Sequence, residues 1–293
     1  MPFSYRDEIK DLNDLARKEA SGSFIQLSDG FTHYELSNPE ADKTVVLVHG
    51  FSVPYFVYDP TFAFLTQEGF RVLRYDLFGR GFSDRPETRY NIDLFVRQLG
   101  DLLEALHLVA RPVSLVGLST GGPITASFTA RIPERVSKLV LIDPVGAKPF
   151  ALGRIAKVAS LPILGEALIG LIANVRIVRR LATSRLDREH IGEFGPRYLA
   201  QMEYKGFKRA ILSTVRSNML GSFLPAYEQI GKMDKPVLLF WGRNDRTLPF
   251  RHSEALRKAM PQMEFHAIEN SGHIPHYEKP EVVNPILLRF LML

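Results

Sequence analysis

The sequence predicts an α/β protein with a mostly parallel central sheet, helices on both faces and an inserted helical cap. Short, continuous apolar runs alternate with amphipathic segments in the first half of the chain and again near its end, and only helical patterns lie between these two regions. Continuous apolar runs are typical of strands that are buried on both faces. Their alternation with helices therefore indicates a parallel sheet covered on both sides.

The predicted elements follow one another as repeated strand–helix units. A charged N-terminal helix precedes two short β-like runs, SFIQL and FTHYEL. The later predicted strands are TVVLVHG, RVLRYD, VSLVGL, KLVLID, PVLLFWG and MEFHAIEN. Segments such as NIDLFVRQLGDLLEALHL place apolar residues near i, i+3, i+4 and i+7, which predicts helices with one buried face. A last helix, PEVVNPILLRFLML, ends the chain.

The alternation stops after Asp143 and resumes at PVLLFWG. We therefore predict a core domain formed by residues 1–145 and 233–293, with a helical cap or lid over residues 146–232. This cap would leave the sheet at the carboxyl end of a strand, which is the edge where open α/β sheets bind ligands. We interpret six apolar residues of this segment as pocket or core side chains: Phe150, Leu152, Ile155, Leu164, Leu168 and Leu171.

Composition narrows the class of protein. The chain has 293 residues and no cysteine, which excludes disulfides, thiolate catalysis and Cys-ligated zinc. Its N-terminus has no apolar signal segment, and the most apolar stretch is interrupted by Glu166 and Arg176, so we expect a cytoplasmic protein without a membrane span. The formal net charge of +5 is scattered along the chain, which argues against nucleic-acid binding.

Basic residues are concentrated in the predicted cap. Residues 148–232 carry fourteen Lys and Arg against six Asp and Glu, an excess that is larger than the net charge of the whole chain. An apolar inner face would line an acyl pocket, and a basic outer face would allow transient contact with a lipid surface. We favour the simpler alternative, in which the basic residues keep an amphipathic lid soluble. The sequence does not define the oligomeric state.

A serine flanked by small residues is the strongest chemical signal. In GLSTGG, Ser119 follows a predicted strand and precedes a predicted helix, with Gly117 and Gly121 on either side. This G-x-S-x-G pattern in a strand–turn–helix setting is typical of a sharp turn that exposes a nucleophile. Bulkier residues at the glycine positions would collide across such a turn.

A serine nucleophile needs a base and an acid that orients this base. His273 lies in a loop directly after the last predicted strand, and we prefer it to the nearby His276, which we expect to cap or pack. Asp245 follows the strand PVLLFWG, and Asp143, which follows KLVLID, stays open as the alternative acid. The remaining candidates, Asp76 and Asp84, belong to a different loop and are weaker.

Backbone N–H groups are the expected donors to a developing oxyanion. One is that of Thr120, at the start of the helix after Ser119, and the other comes from the loop after TVVLVHG. In this loop we favour Phe51, with Ser52 as the alternative, and we expect His49 to hydrogen-bond the loop.

Five segments together resemble the α/β-hydrolase fold superfamily: LVHGF, DLFGRGFSDRP, GLSTGG, GRNDRTLP and SGH, in this order along nearly the full chain. The resemblance implies a catalytic triad of Ser119, Asp245 and His273, with an oxyanion hole formed by Phe51 and Thr120. It further implies that the loop after the fourth strand braces the floor of the site through Asp76, Gly79, Gly81 and Ser83.

Within this superfamily the sequence is most similar to serine carboxylesterases and monoacylglycerol lipases. A serine nucleophile disfavours haloalkane dehalogenases and epoxide hydrolases, and Thr120 departs from the tryptophan of proline iminopeptidases. The resemblance implies hydrolysis of small-molecule or lipid esters with neither cofactor nor metal. Carbon–carbon bond hydrolases and perhydrolases of the haloperoxidase type stay as alternatives, as does a ligand-binding member without turnover.

Overall fold

The computed structural model describes residues 5–148, 158, 161, 163–172 and 191–293. Its strands are β1 (Ser23–Leu27), β2 (Gly30–Ser37), β3 (Thr44–Val48), β4 (Arg71–Tyr75), β5 (Val113–Leu118), β6 (Val136–Ile142), β7 (Val237–Gly242) and β8 (Glu264–Ile268). They form one eight-stranded sheet in the order β1-β2-β4-β3-β5-β6-β7-β8. The pairs β1–β2 and β2–β4 are antiparallel, and the other neighbours are parallel. The predicted fold class is confirmed.

Helices connect and cover these strands. In chain order the described α-helices are α1 (Asp14–Glu19), α2 (Asp59–Gln67), α3 (Ile92–Ala105), α4 (Gly121–Arg131), α5 (Leu164–Ile172), α6 (Ile191–Ala200), α7 (Phe207–Arg216), α8 (Leu224–Gly231), α9 (Ser253–Ala259), α10 (Pro275–Glu278) and α11 (Pro280–Met292). Short 3₁₀ turns lie at Tyr55–Tyr58, Pro133–Arg135, Gln201–Glu203 and Phe250–His252. The predicted N-terminal helix is confined to α1. None of the helices described here is both long and apolar enough to cross a bilayer.

Two hydrophobic clusters cover the two faces of the sheet. In β3, Val46 and Val48 belong to the cluster formed with α3 and α4, whereas Val45 and Leu47 belong to the cluster formed with α2 and α11. Successive side chains of a strand point to opposite faces, so the two clusters lie on opposite sides of the sheet. Burial on both faces explains why β3 is a continuous apolar run in the sequence.

Helix α3 shows how local sequence sets an element. Asn91 caps its first turn by accepting a hydrogen bond from the N–H of Leu94 at 3.0 Å, which satisfies one of the free donors of a helix N-terminus. The buried apolar residues of the helix recur at helical spacing and join the first cluster: Leu94, Phe95, Val96, Leu99, Leu102 and Leu103. The amphipathic pattern that predicted this helix is therefore its packing face.

The described chain between β6 and β7 is helical, comprising α5 to α8 and a 3₁₀ turn. The boundaries of the predicted cap stay a prediction. Of the six apolar residues assigned to pocket or core, Phe150, Leu152 and Ile155 lie outside the described residues, as does the side chain of Leu171. Leu164, in the first turn of α5, is 55% exposed, so a core position is wrong for it and a pocket position stays a prediction. Leu168 is half-buried.

Four adjacent parallel strands end at the same edge of the sheet. These are β5, β6, β7 and β8, in this spatial order. The residues that follow their carboxyl ends are Ser119, Asp143, Asp245 and His273. Because parallel strands run in one direction, all four residues belong to one margin of the sheet.

Close packing at the junction after β5 predicts opposite effects on stability for substitutions at two glycines. A Cβ at Gly121 would overlap the carbonyl oxygen of Val48, whereas a Cβ at Gly100, inside α3, would meet only a ring atom of Phe128 at 3.7 Å. We expect Gly121→Ala to lower the free energy of unfolding by at least about 2 kcal/mol. As the matched control, Gly100→Ala should raise it by about 0.5–1 kcal/mol, because alanine is the better helix former.

Urea denaturation followed by circular dichroism measures both changes. Equal effects of the two substitutions, or a Gly121→Ala protein as stable as the wild type, would contradict this packing.

Candidate active site

Ser119 lies in a strained turn between β5 and α4. Its φ of 52° falls in the left-handed region, which non-glycine residues seldom adopt. The turn is held from both sides: the N–H of Ser119 donates to the carbonyl of Ile142 at 2.9 Å, and its own carbonyl accepts hydrogen bonds from Gly122 and Val145 at 3.1 and 3.0 Å. The surrounding strands therefore fix a backbone conformation that the serine would not choose by itself.

Glycines allow other backbone segments to approach this turn. A Cβ at Gly117 would lie 2.5 Å from the carbonyl oxygen of Gly121, as the predicted turn requires. A Cβ at Gly50 would lie 3.0 Å from that of Ser119. The loop after β3 thus runs directly against the serine. Phe51 follows Gly50 in this loop and Thr120 follows Ser119, so the predicted oxyanion donors belong to the two segments that meet here.

The predicted base and acid are hydrogen-bonded to each other. Nδ1 of His273 lies 2.7 Å from Oδ2 of Asp245. The Asp245 side chain is fully buried, and its other oxygen accepts the N–H groups of Thr247 and Leu248 at 2.7 and 2.9 Å. These two backbone donors hold the carboxylate in place. The structure therefore pairs His273 with Asp245, the preferred acid, and not with Asp143.

The partner of Nδ1 determines the tautomer of His273. A carboxylate opposite Nδ1 accepts its proton, which leaves Nε2 as the nitrogen with a free lone pair. The side chain of His273 is 21% exposed, so the imidazole is reachable although its acid is not. This is the arrangement that a general base requires: one nitrogen anchored and the other available.

Glu278 anchors the loop that carries His273. Its carboxylate accepts hydrogen bonds from the hydroxyl of Ser271 at 2.9 Å, from the N–H of Gly272 at 2.5 Å and from the N–H of Ile274 at 3.2 Å. The residues on both sides of His273 are therefore tied to one acidic side chain. Sequence analysis missed this role, because a glutamate shortly after a histidine has no distinctive pattern.

The two other histidines near the site have structural roles. His276 is fully buried against the ring of Tyr58, with ring centroids 4.7 Å apart, as expected for a packing residue. His49 faces the carbonyl of Gly50 through Nδ1 at 2.8 Å and accepts the N–H of Leu77 through Nε2 at 2.9 Å. Burial lowers the pKa of His49 to about 4, so this histidine braces the loop as a neutral ring.

The loop after β4 braces the site around Asp76. The buried carboxylate faces Nδ1 of His33 at 2.7 Å and accepts the N–H groups of Tyr55 and Phe82 at 2.9 and 3.0 Å. The hydroxyl of Ser83 donates to the carbonyl of Asp76 at 2.6 Å. Two glycines permit this compact loop: a Cβ at Gly79 or Gly81 would overlap Ala210 or Asp76 itself.

Arg80 ties this loop to the oxyanion loop. Its guanidinium is buried and donates to the carbonyl of Phe51 at 2.8 Å and to the hydroxyl of Thr214, on α7, at 2.8 Å. Gln201 makes a similar bridge, because it donates to the carbonyl of Ser52 and accepts the N–H of Gly81, both at 2.8 Å. Sequence analysis assigned no role to Arg80 or Gln201, whose partners are distant in the chain.

The fold and the site together define a class of protein. A mostly parallel sheet with a serine turn after β5, an acid after β7 and a histidine after β8 is the chain order Ser, Asp, His on an open α/β sheet. A family model described as the alpha/beta hydrolase family matches residues 45–286. The chain belongs to the alpha/beta hydrolase family.

Related proteins have several activities. The chain is 28% identical over 287 residues to a non-heme chloroperoxidase of Streptomyces lividans, covering 91% of this chain and 98% of that protein. Among solved structures it resembles a meta-cleavage product hydrolase of Pseudomonas fluorescens, with a TM-score of 0.77, 23% identity and coverage of 92% and 97%. It also resembles a thermophilic esterase of Thermogutta terrifontis, with a TM-score of 0.76, 21% identity and coverage of 93% and 98%.

The Glu278 anchor predicts a local change in mobility. Glu278→Gln keeps the side-chain shape but replaces one accepting oxygen with an NH₂ group that cannot accept. We expect faster amide hydrogen exchange at Gly272 and Ile274, because their N–H groups lose a charged acceptor. Glu281→Gln, at an exposed position in the next helix, is the control. Unchanged exchange in Glu278→Gln would show that the loop is held by other contacts.

Buried His276 predicts a loss of stability in acid. Burial lowers its pKa from the ordinary 6.5 to about 3. Between these two pH values, His276 is protonated in the unfolded chain but stays neutral in the folded protein. The free energy of unfolding should therefore fall from pH 6.5 towards pH 3, with this group contributing a slope of roughly 1.4 kcal/mol per pH unit.

His276→Phe should reduce this slope, whereas His107→Asn, which replaces an exposed histidine, should not. Urea unfolding between pH 7 and about pH 4.5 measures the slopes. Identical slopes for the wild type and His276→Phe would refute the assignment.

Proposed function

We propose that this protein is a serine hydrolase of carboxylic esters, with Ser119 as nucleophile, His273 as general base and Asp245 as the acid that orients the base. The observation that carries the proposal is the hydrogen bond between His273 and Asp245 at the sheet edge that also bears Ser119. A strained serine at the same sheet edge as an anchored imidazole and a buried carboxylate is the constellation of acyl-transfer enzymes.

The reaction has two chemical steps. Oγ of Ser119 attacks the ester carbonyl while Nε2 of His273 takes the hydroxyl proton, and the N–H groups of Phe51 and Thr120 stabilise the oxyanion. His273 returns the proton to the leaving alcohol, which leaves an acyl-enzyme. Water, deprotonated by the same nitrogen, then releases the acid and restores the serine. Asp245 stabilises the imidazolium that forms in each step.

An apolar cluster beside the oxyanion loop supports an acyl substrate. Phe51 packs against a cluster of side chains from the β6–β7 segment: Leu199, Met202, Phe207 and Ile211. These four side chains are buried, whereas Phe51 is half-buried and offers an apolar ring beside the serine. An apolar ring at this position favours a short- to medium-chain acyl group or a monoacylglycerol as substrate.

The predicted contact with lipid surfaces receives less support. Several cations of the β6–β7 segment pair with carboxylates: Arg197 with Asp59, Lys205 with Asp11, Lys208 with Asp7 and Arg216 with Glu166. These pairs reduce the charge that this segment presents outward. We therefore keep the soluble-lid alternative as the preferred interpretation of its basic composition.

Hydrolysis of a carbon–carbon bond is the second candidate. The similarity to a meta-cleavage product hydrolase over 92% of this chain favours it, and a serine, a histidine and an aspartate serve that reaction as well. Both candidates use the same three side chains. Substrate comparison therefore separates them, whereas substitution of Ser119 alone does not.

Ester hydrolysis predicts a specific pattern of variants. The wild type should hydrolyse p-nitrophenyl butyrate, and Ser119→Ala should lower kcat/KM by about 10⁴-fold or more, because the nucleophile is lost. Asp245→Asn should also cost orders of magnitude, because the amide no longer fixes the tautomer of His273. The exposed Ser28→Ala variant is the matched control and should keep full activity.

Comparing two substrates with the same wild-type protein distinguishes ester hydrolysis from carbon–carbon bond hydrolysis. Turnover of a 2-hydroxy-6-oxo-hexa-2,4-dienoate in preference to the ester would identify a carbon–carbon bond hydrolase. Failure to turn over either substrate, with the fold intact by circular dichroism, would favour a ligand-binding member of the family.

A further inference from the structure

Asp143 is a buried carboxyl group for which the proposed reaction has no use. It follows β6, has no exposed surface and sits at a positive φ of 40°. Its N–H donates to the carbonyl of Phe240 at 3.1 Å, and its Oδ1 accepts the N–H of Gly242 at 2.9 Å. Oδ2 receives no hydrogen bond from any donor in the described part of the chain. An unsatisfied buried carboxylate oxygen is costly, so this atom needs an explanation.

The neighbours of Asp143 are the proposed acid and base. One polar side-chain atom from each of Asp143, Asp245 and His273 lies within 4.8 Å of the others. Asp143 and Asp245 are therefore neighbouring buried carboxyl groups, and Glu278 adds a further negative charge nearby. Within the described residues, no Lys or Arg forms an ion pair with Asp143 or Asp245.

Two carboxyl groups in this setting cannot both be ionised at little cost. Burial, followed by the charge of Asp245, raises the pKa of Asp143 well above its ordinary value. The number of hydrogen-bond donors around each carboxyl group determines which of the two, Asp143 or Asp245, carries the negative charge. Asp245 faces three donors, from Thr247, Leu248 and His273, whereas Asp143 accepts from Gly242 alone. The charge is therefore better stabilised on Asp245, and the proton belongs on Asp143.

We infer that Asp143 is a neutral carboxylic acid that donates its proton in a hydrogen bond to Asp245 and so acts as a positioning residue for the His273–Asp245 pair. The donated hydrogen bond satisfies Oδ2 of Asp143 and gives Asp245 a fourth fixed contact. Its catalytic consequence rests on the proposed serine-hydrolase function, but the protonation state itself does not.

A proton explains this cluster better than a metal ion. Nδ1 of His273 and Oδ2 of Asp245 are 2.7 Å apart, which is a hydrogen-bond distance. Two ligands of a tetrahedral zinc ion stand farther apart, at about 3.3 Å for bonds of the usual length. The observed distance leaves no place for an ion between them.

Asn is the matched replacement for a neutral Asp143. Its amide accepts from Gly242 through oxygen and donates to Asp245 through nitrogen, with the same shape and the same charge. Asparagine also tolerates a positive φ. If Asp143 is neutral, Asp143→Asn should keep kcat/KM within about 2-fold and leave the acid limb of the pH–rate profile in place. If Asp143 is ionised, the substitution removes one negative charge beside His273. The acid limb of the pH–rate profile then shifts to lower pH, because the imidazolium loses a stabilising charge.

Variants without a donor should lose turnover. Asp143→Ala and Asp143→Gly both remove the hydrogen bond to Asp245, and the glycine variant also removes the strain of a positive φ. We expect both to lower kcat by about 10- to 100-fold with KM little changed, because a loosely held acid misplaces the base. A loss in alanine but not in glycine would assign the effect to backbone strain and overturn the inference, as would a loss in Asp143→Asn equal to that in Asp143→Gly.

Infrared spectroscopy tests the protonation state without any substrate. With ¹³C-labelled aspartate, the wild type at pH 8 should show the C=O stretch of a protonated carboxylic acid, and the difference spectrum should assign this band to Asp143 by its loss in Asp143→Asn. Absence of the band would overturn the inference whatever the enzyme hydrolyses. Its presence in a protein that hydrolyses no ester would support the neutral acid and count against the proposed function alone.

Discussion

The backbone of Ser119 is the constraint on which the rest of the site depends. A serine in the left-handed conformation at the end of a buried strand costs conformational energy. Hydrogen bonds offset this cost: the N–H of Ser119 donates to Ile142 at the end of the neighbouring strand, and its carbonyl accepts from Val145 in the segment after that strand. Small residues are required wherever the chain passes close to this turn, which is why Gly50, Gly117 and Gly121 surround it. Ordinary packing on both sides of the sheet thus holds one side chain in an unfavourable but useful position.

The neighbouring strand ends supply the electrostatics. Three acidic side chains lie near the imidazole of His273 at this edge, and they differ in the number of hydrogen-bond donors that each one faces. Asp245 faces two backbone N–H groups and His273, and Glu278 accepts from three groups of the loop around His273. Asp143 accepts from only one. In a site without a pairing Lys or Arg among the described residues, these donors decide which carboxyl carries the charge.

Much of the fold follows from the sequence because burial on both faces leaves a clear pattern. The strands β3 and β7 are almost wholly apolar, and β5 and β6 end in apolar runs, so the residues after their ends are predictable. The pairing of His273 with Asp245 agrees with the preferred assignment, but the choice between Asp245 and Asp143 depended on the direction of a side chain, which strand-end positions do not reveal. The contacts of Arg80, Gln201 and Glu278 were missed because their partners come from unrelated loops. Leu164 shows the limit of apolarity as evidence, since an aliphatic residue in the first turn of a helix can face solvent.

We propose that the fold makes one particular serine, Ser119, reactive. Labelling with a fluorophosphonate, followed by fragmentation of the tryptic peptide 98–131, shows directly which residue reacts. We expect one adduct per chain, located on Ser119, and no adduct when the protein is first unfolded in urea. Attachment of the label to another residue, or equal labelling of folded and unfolded protein, would contradict this proposal.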